Sequence, residues 1–132
     1  MAEGRQALRD WLWPGALAVY LALMFYISSR PQLRPPISFL WWDKGAHLAE
    51  YTLLGFLARR AVERLALPRW RPVVATAAFG VLIGGLDEIF QRSVKGRHSS
   101  VADFAFDCLG IAVGLGIAHW MCRSRREGTD HG

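Results

Sequence analysis

Cysteine is scarce in this sequence of 132 residues, which contains only Cys108 and Cys122. Both lie in the last apolar segment, where their separation corresponds to about 21 Å along a helix. A disulfide needs Cα atoms within about 7 Å, so a helix keeps these two thiols apart. The sequence therefore predicts two buried cysteines that behave as small hydrophobic residues and no disulfide scaffold.

The sequence also lacks the even mixture of polar and apolar positions that is typical of a soluble domain. Hydrophobic residues make up 52% of it and are gathered into four blocks. The isoelectric point near 9.9 reflects basic residues that flank these blocks. They form no exposed stripe, which argues against nucleic acid as a partner. A small-residue cleavage site is missing before Arg30, so we predict a retained first membrane span and no cleaved signal.

The four apolar blocks predict an all-α fold, a four-transmembrane-helix bundle with the lipid bilayer as partner. The predicted spans are at about residues 11–28, 43–62, 72–91 and 100–122. The first is long enough for roughly 27 Å of helix, and Pro14 is expected in its first turn, where a missing N–H costs little. The chain is thus predicted to be a single membrane domain, residues 1–122, followed by a basic cytoplasmic tail, residues 123–132.

The second predicted span begins with polar residues, and Asp43 is its expected N-cap. Asp43, His47 and Tyr51 repeat at i, i+4 and i+8, so they share one face of the helix. Only about 15 residues separate Lys44 from Arg59, so the helix bridges the hydrocarbon only if its polar first turns lie within the membrane.

The third and fourth predicted spans carry polar residues toward the same side as the second. Asp87 and Gln91 continue the face of the third helix, and Asp103 and Asp107 share one face of the fourth. Close helix approach is predicted at glycines in both, which are Gly80, Gly84, Gly85, Gly110 and Gly114.

The distribution of Lys and Arg predicts the orientation. Ten lie in the N-terminal tail, the loop after the second helix and the C-terminal tail, and six lie on the other side. Basic residues favour the cytoplasm, so both termini are expected inside and the polar helix starts outside.

The polar residues of the three helices predict one outward-facing, water-accessible pocket, because charges at membrane depth are costly and are usually functional. The candidate ligand-binding residues are Asp43, Lys44, His47, Tyr51, Asp87, Glu88, Gln91, Arg97, Asp103 and Asp107. The alternative is structural: Asp43, Asp87 and Asp103 pair with Lys44, Arg92 and Arg97 only to hold a loop in shape.

The role of His47 stays open on the sequence alone. It is compatible with a hydrogen-bonding member of the network, with a general acid or base, or with a metal ligand. If the protein is an enzyme, the candidate catalytic residues are His47, Asp87 and Glu88. The spacing matches no recognised metal motif, and no metal or cofactor is predicted. Lys95 and Arg97 are suited to an anionic head group, or belong to a solvated loop.

The motif Asp43-Lys44-x-x-His47-x-x-x-Tyr51, with Asp87-Glu88-x-x-Gln91, Arg97, Asp103 and Gly110 after it, resembles the VanZ-like family of small bacterial membrane proteins. The likeness extends from about Trp42 to Gly116. It implies a multi-pass protein of the bacterial cytoplasmic membrane, in a family whose name-giving member is linked to teicoplanin resistance. Asp107 stands where the family usually has Asn.

Two functions of different kinds are compatible with these residues. In the first, the pocket binds a lipid head group of the cell envelope, a peptidoglycan-related molecule or a glycopeptide antibiotic. In the second, His47 or a carboxylate acts as general base in hydrolysis or phosphoryl transfer on a lipid head group. Ser99 and Ser100 have no nucleophile motif around them and are better explained as a helix cap. We favour binding; a purely structural subunit is a third possibility, and the oligomeric state is open.

Overall fold

The computed structural model describes residues 2–30, 40–63, 65, 67–68, 70–95 and 100–127. Their fold is all-α, as predicted, with four helices: α1 (Ala2–Ser28), α2 (Leu40–Val62), α3 (Arg71–Arg92) and α4 (Val101–Glu127). The side chains of residues 2–10, 40–43 and 125–127 lie outside the description. Residues 31–39, between the first two predicted spans, lie outside it too.

Two helices begin earlier than predicted. Helix α1 starts at Ala2, so Pro14 lies inside the helix and not in its first turn. The segment before the apolar block is rich in good helix formers such as Ala, Glu, Gln and Arg, which explains why the helix begins before that block. Helix α2 starts at Leu40, so the prediction of Asp43 as N-cap is wrong. Helix α4 also continues beyond its predicted end, to Glu127, into the predicted tail.

Three of the four helices are long and apolar enough to cross a membrane, at Trp11–Ser28, Arg71–Arg92 and Val101–Ser124. Helix α2 is not among them, because its charged residues lower its mean hydropathy. The described helices therefore support a membrane protein, and the crossing of α2 remains a prediction.

Helices α2 and α4 run parallel along most of their length. Lys44 lies beside Asp103 near their N-terminal ends, and Arg60 lies beside Cys122 near their C-terminal ends. Helix α1 runs antiparallel to α2: its Tyr20 hydroxyl donates to the Glu50 carbonyl over 2.8 Å. The arrangement is the one that four successive membrane crossings require.

Helix α3 also runs antiparallel to α2 and α4. Its Asp87 reaches Tyr51, and its Gly80 lies deeper, against the side chain of Ile111. Phe25 and Phe90 stack edge to face with ring centroids 6.0 Å apart, which places the C-terminal halves of α1 and α3 together. We call this side of the bundle, where α2 and α4 begin, the polar end, and the opposite side the arginine end.

Glycine sets how closely α2 and α4 approach. A Cβ at Gly110 would lie 2.7 Å from the Leu48 carbonyl oxygen and 2.9 Å from the Thr52 nitrogen, and Gly114 is similarly close to the α2 backbone. Only glycine allows two helix backbones this near, so the predicted packing motif is confirmed. Gly85 has open space around it, so its predicted part in packing is wrong.

Candidate functional site

Polar side chains from α2, α3 and α4 lie together at the polar end, and all of them except the half-buried Lys44 are buried. We call the described members the polar cluster: Lys44, His47, Tyr51, Asp87, Glu88, Gln91, Asp103 and Asp107. Asp87 and Asp107 are each 1% exposed, and Tyr51 is fully buried. The predicted convergence of three helices is therefore present in these residues. The side chains of Asp43 and Arg97, which were predicted to take part, lie outside the described residues.

Asp103 is held by two partners. Lys44 Nζ donates to its Oδ1 over 3.2 Å, and the Ser100 hydroxyl donates to its Oδ2 over 2.6 Å. The Ser100 hydroxyl also accepts the Asp103 backbone N–H over 3.2 Å. Ser100 therefore caps the start of α4, as predicted, and ties the first carboxylate of this helix in place. Both oxygens of Asp103 are thereby satisfied.

His47 and Asp107 form a second pair one turn deeper. His47 Nδ1 lies 2.9 Å from Asp107 Oδ1, and both side chains are nearly inaccessible. The imidazole is stacked over the Tyr51 ring at an interplanar angle of 11°, which fixes its plane. The sequence predicts that His47 lies on the polar face of its helix and Asp107 on the polar face of another. It does not predict that the two pair, because they are 60 positions apart in the chain.

Helix α3 contributes Asp87 to the polar cluster, where it lies against Tyr51 of α2. Gln91, one turn later on the same helix, donates to Asp87 Oδ2 over 2.7 Å, and the Tyr51 hydroxyl donates a longer bond of 3.4 Å. This replaces the pairing of Asp87 with Arg92 that the structural alternative expected. Arg92 is exposed, and Lys95 is exposed as well.

Two of these carboxylates are only half satisfied by the residues that the structure describes. Asp87 Oδ1 and Asp107 Oδ2 are buried and have no hydrogen-bond partner among them. An unsatisfied buried polar atom costs about 1–3 kcal/mol, and more when it is charged. Native proteins keep few such atoms, and each one calls for an explanation such as a bound molecule.

Two cavities of the described chain lie away from the polar cluster, and the predicted outward-facing pocket stays a prediction. A cavity of about 1080 Å³ lies at the arginine end, between Arg59, Trp70 and Arg123. A shallow apolar groove of about 490 Å³ runs along the outer surface of α2 and α4, from Gly45 to Met121. The described side chains include no group of three His, Cys, Asp or Glu placed to hold a metal ion.

A second polar group, at the arginine end, was missed by sequence reasoning. Glu63 accepts from Arg60 Nη1 over 2.8 Å, lies 3.1 Å from Arg59 Nη1, and accepts from the Cys122 thiol over 3.0 Å. The i, i+4 spacing of Arg59 and Glu63 could have indicated the ion pair. Cys122 is therefore a hydrogen-bond donor, and its predicted role as a purely hydrophobic residue is wrong.

The polar cluster is rich in acceptors and poor in cations. Its described members supply four carboxylates but only one Lys and one His. Its chemistry therefore suits a partner that donates hydrogen bonds through hydroxyl, amide or ammonium groups, more than an anion.

Comparison with known proteins identifies a family. The sequence profile of the VanZ/LLP1 family matches residues 16–122. No curated protein and no solved structure matches the chain. The profile covers α2, α3 and nearly all of the apolar part of α1 and α4, and so includes every helix that builds the polar cluster. With its three membrane-length helices and its match over most of the sequence, the chain is a VanZ-like membrane protein and belongs to the VanZ/LLP1 family.

Proposed function

We propose that the polar cluster binds the head group of a lipid-linked molecule of the bacterial cell envelope. The observation that carries this proposal is the pair of buried acceptors, Asp87 Oδ1 and Asp107 Oδ2, which no described residue satisfies. A head group with hydroxyl or ammonium donors would complete both carboxylates. Asp103 and Lys44, which satisfy each other, position the site; Tyr51 and Gln91 orient Asp87.

The apolar groove supports a ligand that carries a lipid chain. It begins at Gly45, next in sequence to Lys44, and continues along α2 and α4 past Leu48 and Phe56. A chain lying there would leave its head group at the polar end. This continuity favours a lipid-linked ligand over a free peptidoglycan fragment or a glycopeptide antibiotic, the other ligands that the sequence suggested.

The proposed setting is the bacterial cytoplasmic membrane, with four crossings and both termini in the cytoplasm. Under the positive-inside rule the ten basic residues near the termini and the second loop face the cytoplasm. The polar end then faces outward, where envelope precursors are used. The polar residues of α2 are matched by α3 and α4, so this helix can lie in the bilayer despite its charges.

The proposal is tested by native mass spectrometry of protein extracted gently from a bacterial membrane. We expect the wild type to retain a lipid-linked molecule. Asp87→Asn places an amide donor at one of the acceptor positions, so we expect about 10- to 150-fold weaker retention, the loss of one hydrogen bond to a charged group. Asp103→Asn is the matched comparison: it removes a buried charge whose two oxygens are already bonded, so retention should fall less than in Asp87→Asn. Equal retention by wild type and Asp87→Asn would contradict the proposal.

A second candidate is acid–base catalysis on the same head group, and the His47–Asp107 contact of 2.9 Å favours it. A carboxylate that fixes an imidazole is the usual support of a general base. This reading is separated from binding by the His47 variants considered in the Discussion.

A further inference from the structure

The arginine end contains a cavity that is separate from the polar cluster. It has a volume of about 1080 Å³ and opens between the end of α2, the start of α3 and the end of α4. The polar part of its lining is Arg59, Glu63, Trp70, His119, Cys122 and Arg123. The volume is in the range of sites that hold small organic ligands.

The basic groups at this cavity exceed what its carboxylate can satisfy. Glu63 is shared between Arg59 and Arg60, at 3.1 and 2.8 Å. Yet Nε and Nη1 of Arg59 and Nε of Arg60 are buried and donate no hydrogen bond within the described part of the chain. Arg123 also lines the cavity. Among the described side chains, Arg59 and the adjoining Arg60 share the one carboxylate of Glu63, so the unsatisfied Nε of Arg59 favours an anion with several acceptor oxygens.

The rest of the lining is apolar. Leu65, Leu67 and Val73 form this wall, and Leu65 is 57% exposed. A free inorganic anion would leave it in contact with water, whereas an amphipathic anion would cover it. The cavity also lies where α3 begins and α4 ends, two of the membrane-length helices, at the level where lipid head groups meet helix termini.

We infer that this cavity binds the phosphodiester of an anionic phospholipid, with Arg59 as the central phosphate ligand and the Leu65–Val73 wall against the glycerol and upper acyl chains. Basic pockets between membrane helices on the cytoplasmic side are suited to such head groups. This site shares no residue with the polar cluster, so the failure of either proposal leaves the other standing.

The test uses Cys122 as a reporter, since it lines the cavity. In Cys108→Ser protein it is the sole thiol. The rate of its alkylation is measured in mixed micelles with phosphatidylglycerol, with phosphatidylcholine, or with inorganic phosphate alone. Phosphatidylglycerol at roughly ten times its Kd should slow alkylation about tenfold, because only unoccupied sites react. Phosphatidylcholine and phosphate should give little protection. Phosphatidylcholine has the same phosphodiester but carries a cationic choline, so equal protection by it would overturn the requirement for a net anionic head group. Protection by phosphate alone would overturn the lipid.

The residue assignment is tested with Arg59→Gln. Loss of a charged hydrogen-bond donor of about 1.5–3 kcal/mol should weaken protection by phosphatidylglycerol about 10- to 150-fold. Arg71→Gln is the matched control, since Arg71 is exposed at the same end, packs over the Trp70 ring at 5.5 Å and does not line the cavity. If Arg59→Gln fails to fold, Arg123→Gln serves in its place, with a smaller loss expected. Unchanged protection in a folded variant of either residue would overturn the inference.

Discussion

At the scale of single residues, the carboxylates of the polar cluster differ in whether both of their oxygens have a hydrogen-bond partner. Asp103 has a partner for each oxygen, whereas Asp87 and Asp107 each have one oxygen without a partner among the described residues. A cluster built only to hold a loop would have no reason to leave buried acceptors open, since each one destabilises the fold. The incomplete pair is what points to a ligand.

Asp107 stands at a position where the resemblance to the VanZ-like family implies Asn. An Asn could also accept from His47, so the His47 contact does not require the acid. What Asp adds is a second acceptor, Oδ2, in place of an amide donor. We therefore expect the ligand of this chain to present a donor at that point.

His47 decides between binding and catalysis. Gln at this position still forms hydrogen bonds but cannot exchange a proton as imidazole does. In a binding site His47→Gln should cost about one hydrogen bond, roughly 0.5–1.5 kcal/mol, or at most about tenfold in affinity. In a general base it should lower turnover about 10²–10⁴-fold.

The measurement is the incubation of purified protein with a bacterial lipid extract, followed by mass spectrometry of bound and free lipid. We expect unaltered lipid, and retention that falls in steps from wild type to His47→Gln to His47→Ala. A chemically changed lipid produced by wild type and absent with both variants would instead establish the enzyme.

At the scale of the helix, α2 explains how a polar segment can occupy the centre of a membrane bundle. It contacts α1, α3 and α4, and α4 most extensively. Lys44, His47 and Tyr51 each have a carboxylate partner on α3 or α4. A hydropathy test considers α2 alone and so rejects it.

The close packing of α2 on α4 can be tested at a single glycine. Gly110→Ala would place a methyl group within 3.0 Å of α2 backbone atoms, which cannot move aside as a side chain can. We expect a loss of about 1–3 kcal/mol in the free energy of unfolding, the usual cost of overpacking. The measurement is unfolding in detergent by circular dichroism.

Gly116→Ala, on the same helix, is the control. It has open space around it and should be neutral or stabilising by up to about 1 kcal/mol, as Ala is the better helix former. Equal stability of the two variants would mean that the helices do not approach as described.

Sequence reasoning went furthest where the period of a helix decides the outcome. It predicted four helices and the shared faces of His47 with Tyr51 and of Asp103 with Asp107, because residues four apart lie on one side of a helix. It could not predict which acid each base would meet, since Lys44 and Asp103 are joined only by the register of two packed helices. The early start of α1 was missed because an apolar block shows only which part of a helix can lie in hydrocarbon. The backbone hydrogen bonds of the helix begin before that block.

At the scale of the whole molecule, the two ends of the bundle differ in charge and in proposed task. Among the described side chains, the polar cluster has an excess of carboxylates, and the arginine end has two guanidinium groups that share the carboxylate of Glu63. Both proposals depend on a bundle that crosses the membrane four times, because only then do α2 and α4 begin on the same outer side. The crossing of α2 is thus the claim on which the account rests.

Cysteine labelling tests that claim most directly. Single cysteines are placed at Ser29, Pro68 and Lys95, all exposed, in a Cys108→Ala, Cys122→Ala background. Intact spheroplasts are then treated with a membrane-impermeant thiol reagent. Ser29→Cys and Lys95→Cys should react, because both adjoin the polar end, and Pro68→Cys should react only after lysis. Equal reaction at Ser29→Cys and Pro68→Cys in intact spheroplasts would show that α2 does not cross, and reaction at Pro68→Cys alone would place the polar end inside the cell.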